Sequence, residues 1–118
     1  MADPNPIYTA PQITADQDNY DPDPDEAIFA ILWRVSSDAA RSISGFAGNE
    51  FEGDQLPTRL LFWANVGAFP ITLLHESGLS SAGNRFTFAL AVDKVLAAGE
   101  TICLLYDSES DRWRQSTV

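Results

Sequence analysis

The sequence has little of what several chemistries need, with one cysteine, one histidine and seven basic side chains among 118 residues. A single cysteine, Cys103, excludes an internal disulfide and a zinc site built from a cysteine–histidine cluster. The longest apolar runs, 27–33 and 60–64, are far shorter than the roughly 18–20 residues that span a bilayer. An acidic chain also lacks the basic stripe that binds a phosphate backbone. We therefore expect neither a membrane partner nor a nucleic-acid partner.

The N-terminus also lacks the basic and apolar regions of a signal peptide, so no leader is expected. The length permits one domain, or a smaller domain with a tail. Because the chain starts at Met1 and stops soon after its last predicted strand, we expect a complete small product.

The formal charge of −10 is unevenly distributed. Residues 1–26 hold seven of the acidic residues, no Lys or Arg, and five of the seven prolines, whereas residues 27–118 carry a net charge of −3. Proline removes a backbone donor and disfavours helix in the residue before it. The sequence therefore predicts an extended acidic arm over 1–26 and a folded body over 27–118.

The arm has two interpretations. It is either a disordered, solubilising tail or a segment that docks on a neighbouring surface. In the second case deletion of residues 1–26 leaves a folded body that no longer docks. The partner-binding residues would then be Ile7, Tyr8, Ile13, Tyr20, Asp21, Asp23 and Asp25.

The body shows short apolar segments separated by turn signals every eight to twelve residues, which predicts an all-β fold. We expect a small β-sandwich or barrel, jelly-roll-like, of about seven or eight antiparallel strands. The segment 71–76 is the expected antiparallel partner of 58–65, and 112–117 is expected at a sheet edge. The segment 92–98 suits either a short helix or a strand. Because the apolar strands alternate little with polar residues and the body is small, we expect further surface to be buried in an oligomer.

Candidates for catalysis are weak. On a strand, His75 and Ser77 share a face, but a structural hydrogen bond is the expected role of this histidine. Glu50, Glu52 and Asp54 alternate in a way that suits a carboxylate pair for glycoside hydrolysis, although a solvated loop edge is the expected outcome. We therefore predict no catalytic residue and no enzyme.

Cofactor and metal sites are also not predicted. In an EF-hand loop counted from Asp16, Asp21 takes the place of the required glycine and Ala27 that of the required glutamate. Weak adventitious binding of divalent cations by the arm stays open. No phosphate loop or dinucleotide fingerprint occurs, and Cys103 is expected to be a buried, inert thiol.

Several short motifs follow one another along the body, and their polar residues suit structural roles. Asn65 and Gly67 suit a tight turn, and Arg85 is expected to tie a loop to the body. Tyr106–Asp107 facing Arg112–Trp113 predicts an aromatic cross-strand contact and an Asp–Arg pair. The motifs are 43–48 (ISGFAG), 61–67 (LFWANVG), 71–77 (ITLLHES), 84–86 (NRF), 98–99 (AG), 105–107 (LYD) and 112–113 (RW).

Together with the lead-in 12–20, these motifs resemble a recurrent β-rich module of tailed-phage virion proteins, found in head decoration proteins and in fibre or tail-tip proteins. The resemblance covers about residues 12–114 and is weakest between Gly48 and Leu60. It implies a trimeric, non-enzymatic module on the virion surface.

Since no shaft or coiled coil occurs, we expect a decoration (cement) protein on the capsid exterior. Its partners would be copies of itself in a homotrimer and the major capsid protein. The alternative is a receptor-binding or glycan-binding tail tip, in which exposed Trp33, Trp63 or Trp113 stacks on sugar rings. Core packing is the expected position of all three.

Overall fold

A computed structural model of the chain describes residues 6–22, 30–48, 50–51, 54–55 and 59–116. These residues form eleven strands, and their helical segments are the 3-10 turns Ala82–Asn84 and Ala89–Ala91. The predicted all-β class is confirmed. The strands are β1 (Ile7–Thr9), β2 (Leu32–Val35), β3 (Arg41–Ile43), β4 (Glu50–Phe51), β5 (Asp54–Gln55), β6 (Leu60–Asn65), β7 (Ile71–Leu73), β8 (Phe86–Thr87), β9 (Lys94–Leu96), β10 (Thr101–Asp107) and β11 (Arg112–Ser116).

Two mixed sheets and a separate antiparallel pair, β4-β5, contain the eleven strands. The larger has the order β1-β2-β6-β10-β11-β8, and the smaller has the order β3-β7-β9. Strand β10 runs antiparallel to β6 and β11, as does β9 to β7. In contrast, β1–β2, β2–β6, β8–β11 and β3–β7 are parallel pairs. The expectation that all strands pair antiparallel is therefore wrong.

Two predicted strand positions also differ from the structure. At the end of β6, the side-chain Nδ2 of Asn65 donates to the carbonyls of Phe69 (2.8 Å) and Leu96 (2.9 Å). These bonds turn the chain toward the smaller sheet. As a result β7 pairs with β3 and β9 rather than with β6. The last strand is not an edge strand, because β8 flanks it. The ambiguous segment 92–98 contains the strand β9.

Residues 6–22, which we call the strap, run parallel to residues 32–46 along one side of both sheets. Strand β1 pairs with β2 in the larger sheet. Further along, Gln17 bridges Ile43 beside the smaller sheet, and Tyr20 bridges Phe46. The amides of Gln17 and Tyr20 donate to Ser42 and Gly45 at 2.9 and 2.8 Å. Most of the predicted arm that the structure describes is thus bonded to the body of its own chain.

The core is aromatic and centres on Phe46. Its ring lies 4.8 Å from Trp63, 4.9 Å from Trp33 and 5.0 Å from Trp113, and all four side chains are fully buried. Edge-to-face and tilted rings of this kind are favourable beyond the area they bury. The strap completes the same core with three buried side chains, those of Ala10, Ile13 and Tyr20.

Candidate functional site

The predicted arm anchors do not share one environment. Ile13 and Tyr20 are 3% and 4% exposed, so packing in their own chain occupies both side chains. Tyr8 packs edge-on against Trp33 at 5.0 Å. Ile7 is 47% exposed and Asp21 is exposed. Among the predicted partner-binding residues that the structure describes, Ile7 and Asp21 are the exposed ones.

Two further predicted positions, Asp23 and Asp25, lie outside the described residues. The proposed arm boundary at residue 26 lies there too, and it stays a prediction.

Two aspartates of the strap bind the body. Asp16 Oδ1 accepts from the Ser42 amide at 2.9 Å, and Asp18 Oδ1 accepts from Ser44 Oγ at 2.6 Å. Each carboxylate therefore fixes the strap to the segment beside it. Among the described residues no group of three or more histidine, cysteine or acidic side chains is arranged to hold a metal ion.

Asn19 is the centre of a second set of strap contacts. Its backbone is in the left-handed region, with φ of 48°, a conformation that asparagine tolerates better than most residues. Its side-chain oxygen accepts from the Ser81 amide (2.8 Å) and from Asn84 Nδ2 (2.9 Å). The backbone amide of Asn19 donates to Ser80 Oγ at 2.8 Å. The strap and the loop before β8 are thus tied together.

A shallow hollow of about 200 Å³ is formed by strap residues alone. Ile13, Gln17 and Tyr20 contribute to its wall. The Tyr20 hydroxyl is buried and has no hydrogen-bond partner among the described residues. Because it is buried, it is not accessible to a ligand in the hollow. Burial, with a smaller contribution from Tyr8, raises the pKa of Tyr20 well above its usual range.

The residues considered for catalysis hold loops in place. His75 Nδ1 accepts from the Phe88 amide at 2.9 Å, which confirms the structural hydrogen bond expected of it. The next residue, Glu76, accepts from Arg112 Nε at 2.9 Å and from Thr87 Oγ1. Desolvation by burial acts to raise the pKa of Glu76, but these two hydrogen bonds outweigh it and the pKa of Glu76 is lowered.

The acidic candidates of residues 50–54 are not tested by the structure, and Cys103 is buried. Glu52 and the side chains of Glu50 and Asp54 lie outside the described part of the structure, so the carboxylate-pair alternative lies there too. Cys103 is 8% exposed, which confirms that it is buried.

The motif residues bond within the fold. Asn65 Oδ1 accepts from the Gly67 amide at 3.1 Å, as expected of a tight turn. Arg85 Nε donates to the Ser80 carbonyl at 3.0 Å, so the predicted loop tie is confirmed.

The hairpin that joins β10 to β11 has the predicted aromatic pair. Tyr106 and Trp113 are cross-strand partners with ring centroids 5.0 Å apart. The predicted ion pair between Asp107 and Arg112 is wrong: Asp107 pairs with Arg114 at 2.8 Å, and Arg112 pairs with Glu76 at 2.9 Å. Hydrogen bonds from Arg114 and Ser110 lower the pKa of Asp107 to about 2.

The side of the larger sheet that faces away from the core is apolar, and we call it the outer face. Residues that are direct cross-strand partners point to the same side of a sheet. The register therefore places two rows of apolar side chains on the outer face. They are Ile7, Leu32, Phe62 and Cys103 in one row and Leu60 and Leu105 in the next.

The sequence pattern alone did not lead to a prediction of this surface. It is nevertheless visible in β6, where the residues that point to both faces of the sheet are apolar. Leu61 and Trp63 are fully buried, while Leu60 is 49% exposed. The oligomer that was expected from this low polar alternation stays a prediction.

No helix in the described part of the chain is long and apolar enough to cross a membrane. Comparisons of the chain with protein-family models, with curated proteins and with solved structures gave no significant match.

Proposed function

We propose that this chain is a non-enzymatic structural protein of a tailed-phage virion. In this proposal it is a decoration protein that binds the capsid exterior as a homotrimer and stabilises the contacts between capsomers. Its partners are copies of itself and the major capsid protein.

The observation that carries the proposal is the use made of the motif residues. Asn65, Asn84, Arg85 and Trp113 each donate a side-chain hydrogen bond inside the fold, at distances from 2.8 to 3.0 Å. Side chains that serve the scaffold are bonded within it, whereas catalytic groups face a substrate site. Binding would then depend on the exposed surfaces that the scaffold presents.

Burial of the tryptophans favours a capsid position over a glycan-binding tail tip. Trp33 is 1% exposed, and Trp63 and Trp113 are 0% exposed. Stacking on a sugar ring needs an accessible aromatic face, which none of the three offers. The feature on which the tail-tip alternative depended is therefore used for core packing.

Copy number in the intact particle tests the proposal. Quantitative mass spectrometry of purified virions should find the chain in fixed proportion to the major capsid protein, at roughly one trimer per local three-fold position. Particles that lack the chain should lose heat resistance, and adding back the purified protein should restore it. A copy number of only a few per virion would overturn the proposal in favour of a tail position.

A further inference from the structure

We infer that the outer face of the larger sheet binds the strap of a second copy of this chain. This inference rests on the proposed function for its setting, the homotrimer. Its evidence is independent of that setting and comes from the side chains of the sheet and the strap.

The first part of the evidence is an apolar face that is covered near its middle, where Cys103 is 8% exposed, and less covered around it. The core side of the larger sheet packs in the same cluster as Ile43, Ile71 and Leu96 of the smaller sheet. On the opposite side Leu60 is 49% exposed, and Leu32 and Leu105 are partly exposed. A sheet that faces water on one side normally has polar residues there. A contiguous apolar patch with a polar rim instead marks an interaction surface.

The second part is the charge of this face in a chain of net charge −10. Arg34 and Arg114 project from the outer face, and both are exposed. Asp107, the carboxylate that the described register places on this face, is paired with Arg114 at 2.8 Å. Arg34 forms no ion pair with another described residue. Among the described residues, the rim of this apolar face therefore carries one cation without an ion pair, Arg34.

The third part is the complementary surface that each copy offers. The strap exposes Asp16 and Asp18, and the hydrogen bonds from Ser42 and Ser44 hold both carboxylates in place. An ordered acidic segment and the cation at this rim attract each other, and this complementarity selects orientation as well as partner. A second copy supplies the acidic segment without any further protein.

The symmetry of such a contact fits a ring. The outer face, which includes Ile7 of β1, and the exposed strap carboxylates of Asp16 and Asp18 are different surfaces of one chain, so a contact between them is heterologous. A heterologous contact closes into a ring when its rotation closes, and three copies would form the proposed homotrimer. Five strands about 4.8 Å apart, each about five residues long, give a face of roughly 400 Å². This is about half the area that one partner contributes to a standard interface, so the association should depend on concentration.

Analytical ultracentrifugation of the full chain over a concentration series tests the inference. The wild-type chain should associate, and association should weaken at high salt because screening reduces the charge attraction. Leu60→Glu and Arg34→Glu should each weaken association by about tenfold or more. Far-UV circular dichroism and thermal melts establish that both variants are folded.

Two matched variants control for the changes themselves. Val95→Glu changes an apolar side chain that is 50% exposed on β9, at the edge of the smaller sheet opposite the strap. Lys94→Glu makes the same charge reversal on β9 of the smaller sheet. Both should associate like the wild-type chain.

A wild-type chain that stays monomeric at all concentrations would overturn the inference. So would association that strengthens with salt, or that Val95→Glu and Lys94→Glu reduce as much as Leu60→Glu and Arg34→Glu do. Capsid binding is measured separately. Capsid binding by a strictly monomeric chain would overturn only the inference, whereas a self-associating chain absent from capsids would overturn only the proposed function.

Discussion

At the scale of single residues, the core contains polar atoms that the fold leaves unsatisfied. Tyr20 Oη, Trp33 Nε1 and Trp63 Nε1 are buried and have no hydrogen-bond partner in the part of the chain that the structure describes. Each such group costs about 1–3 kcal/mol of desolvation that no bond offsets. By contrast, Tyr106 Oη donates to the Gly83 carbonyl at 3.0 Å. The two tyrosines are therefore a matched pair, one with and one without a partner for its hydroxyl.

Tyr20→Phe should leave the free energy of unfolding at pH 7 unchanged or raise it by about 1 kcal/mol, because it removes an unsatisfied hydroxyl. Burial raises the pKa of Tyr20 above its ordinary value of 10.0. The stability linked to this group is therefore complete below pH 10 and is lost as the pH rises toward the higher folded-state pKa. Urea titrations at pH 7 and above pH 10 should show a smaller alkaline loss in the variant.

Tyr106→Phe is the control and should cost about 1 kcal/mol at pH 7, because it breaks an existing bond. A similar cost for Tyr20→Phe would contradict the assignment of Tyr20 Oη as unpartnered.

At the scale of elements, the 3-10 turn Ala89–Ala91 combines strain with exposure. Leu90 and Ala91 have φ of 63° and 54°, and Leu90 is 92% exposed. Left-handed backbone costs a residue with a Cβ roughly 1–2 kcal/mol, and Gly or Asn adopts it far more readily. Since the exposed Leu90 side chain gains little packing energy, nothing in its packing offsets the cost of its left-handed backbone. Leucine is therefore a poor residue for this position.

Leu90→Asn should therefore stabilise the isolated chain by about 0.5–1 kcal/mol, measured as a higher midpoint in thermal and urea unfolding. Val92→Asn is the matched control. Val92 is also exposed, at 55%, but its φ is −119°, so the substitution relieves no strain and should give no gain. Equal effects of the two substitutions would show that loss of exposed apolar surface, rather than backbone strain, is responsible.

At the scale of the whole molecule, the strap is part of the body. Sequence analysis predicted that a chain without residues 1–26 still folds. However, the strap contributes Ala10, Ile13 and Tyr20 to the core and a parallel strand to the larger sheet. Removing large buried side chains costs about 2–5 kcal/mol each, whereas a domain of this size is stable by only about 5–15 kcal/mol.

We therefore expect deletion of residues 1–22 to abolish cooperative unfolding and near-UV circular dichroism. Deletion of residues 1–5 keeps every strap contact described above and should preserve both signals. A cooperative thermal transition in the chain that lacks residues 1–22 would contradict the integration of the strap into the core.

Much of the local structure was predictable because it depends on neighbours in the chain or on simple periodicity. Alternation and turn residues predicted the all-β class, and the spacing of Tyr106 and Trp113 about one short loop predicted their contact. The structural bond of His75 followed from its place at the end of a strand. Each of these depends on residues close in sequence or on the two-residue repeat of a strand.

The pairing of strands and the role of the strap were not predictable in this way. A period of two indicates which residues share a face, but it does not indicate which strand lies alongside or in which direction. The few apolar residues of the strap indicated a tail or a docking arm, because Tyr20 gains a core only when Phe46 and Trp63 are already in place.

The sequence by itself determined that this is an all-β chain with an acidic, proline-rich N-terminal segment and buried tryptophans, because composition and alternation fix those properties locally. Only the tertiary structure decided that the N-terminal segment closes the side of both sheets and that the second apolar set of β6 forms an outer face. Both depend on contacts between residues far apart in the chain, whose formation is a property of the whole packed molecule.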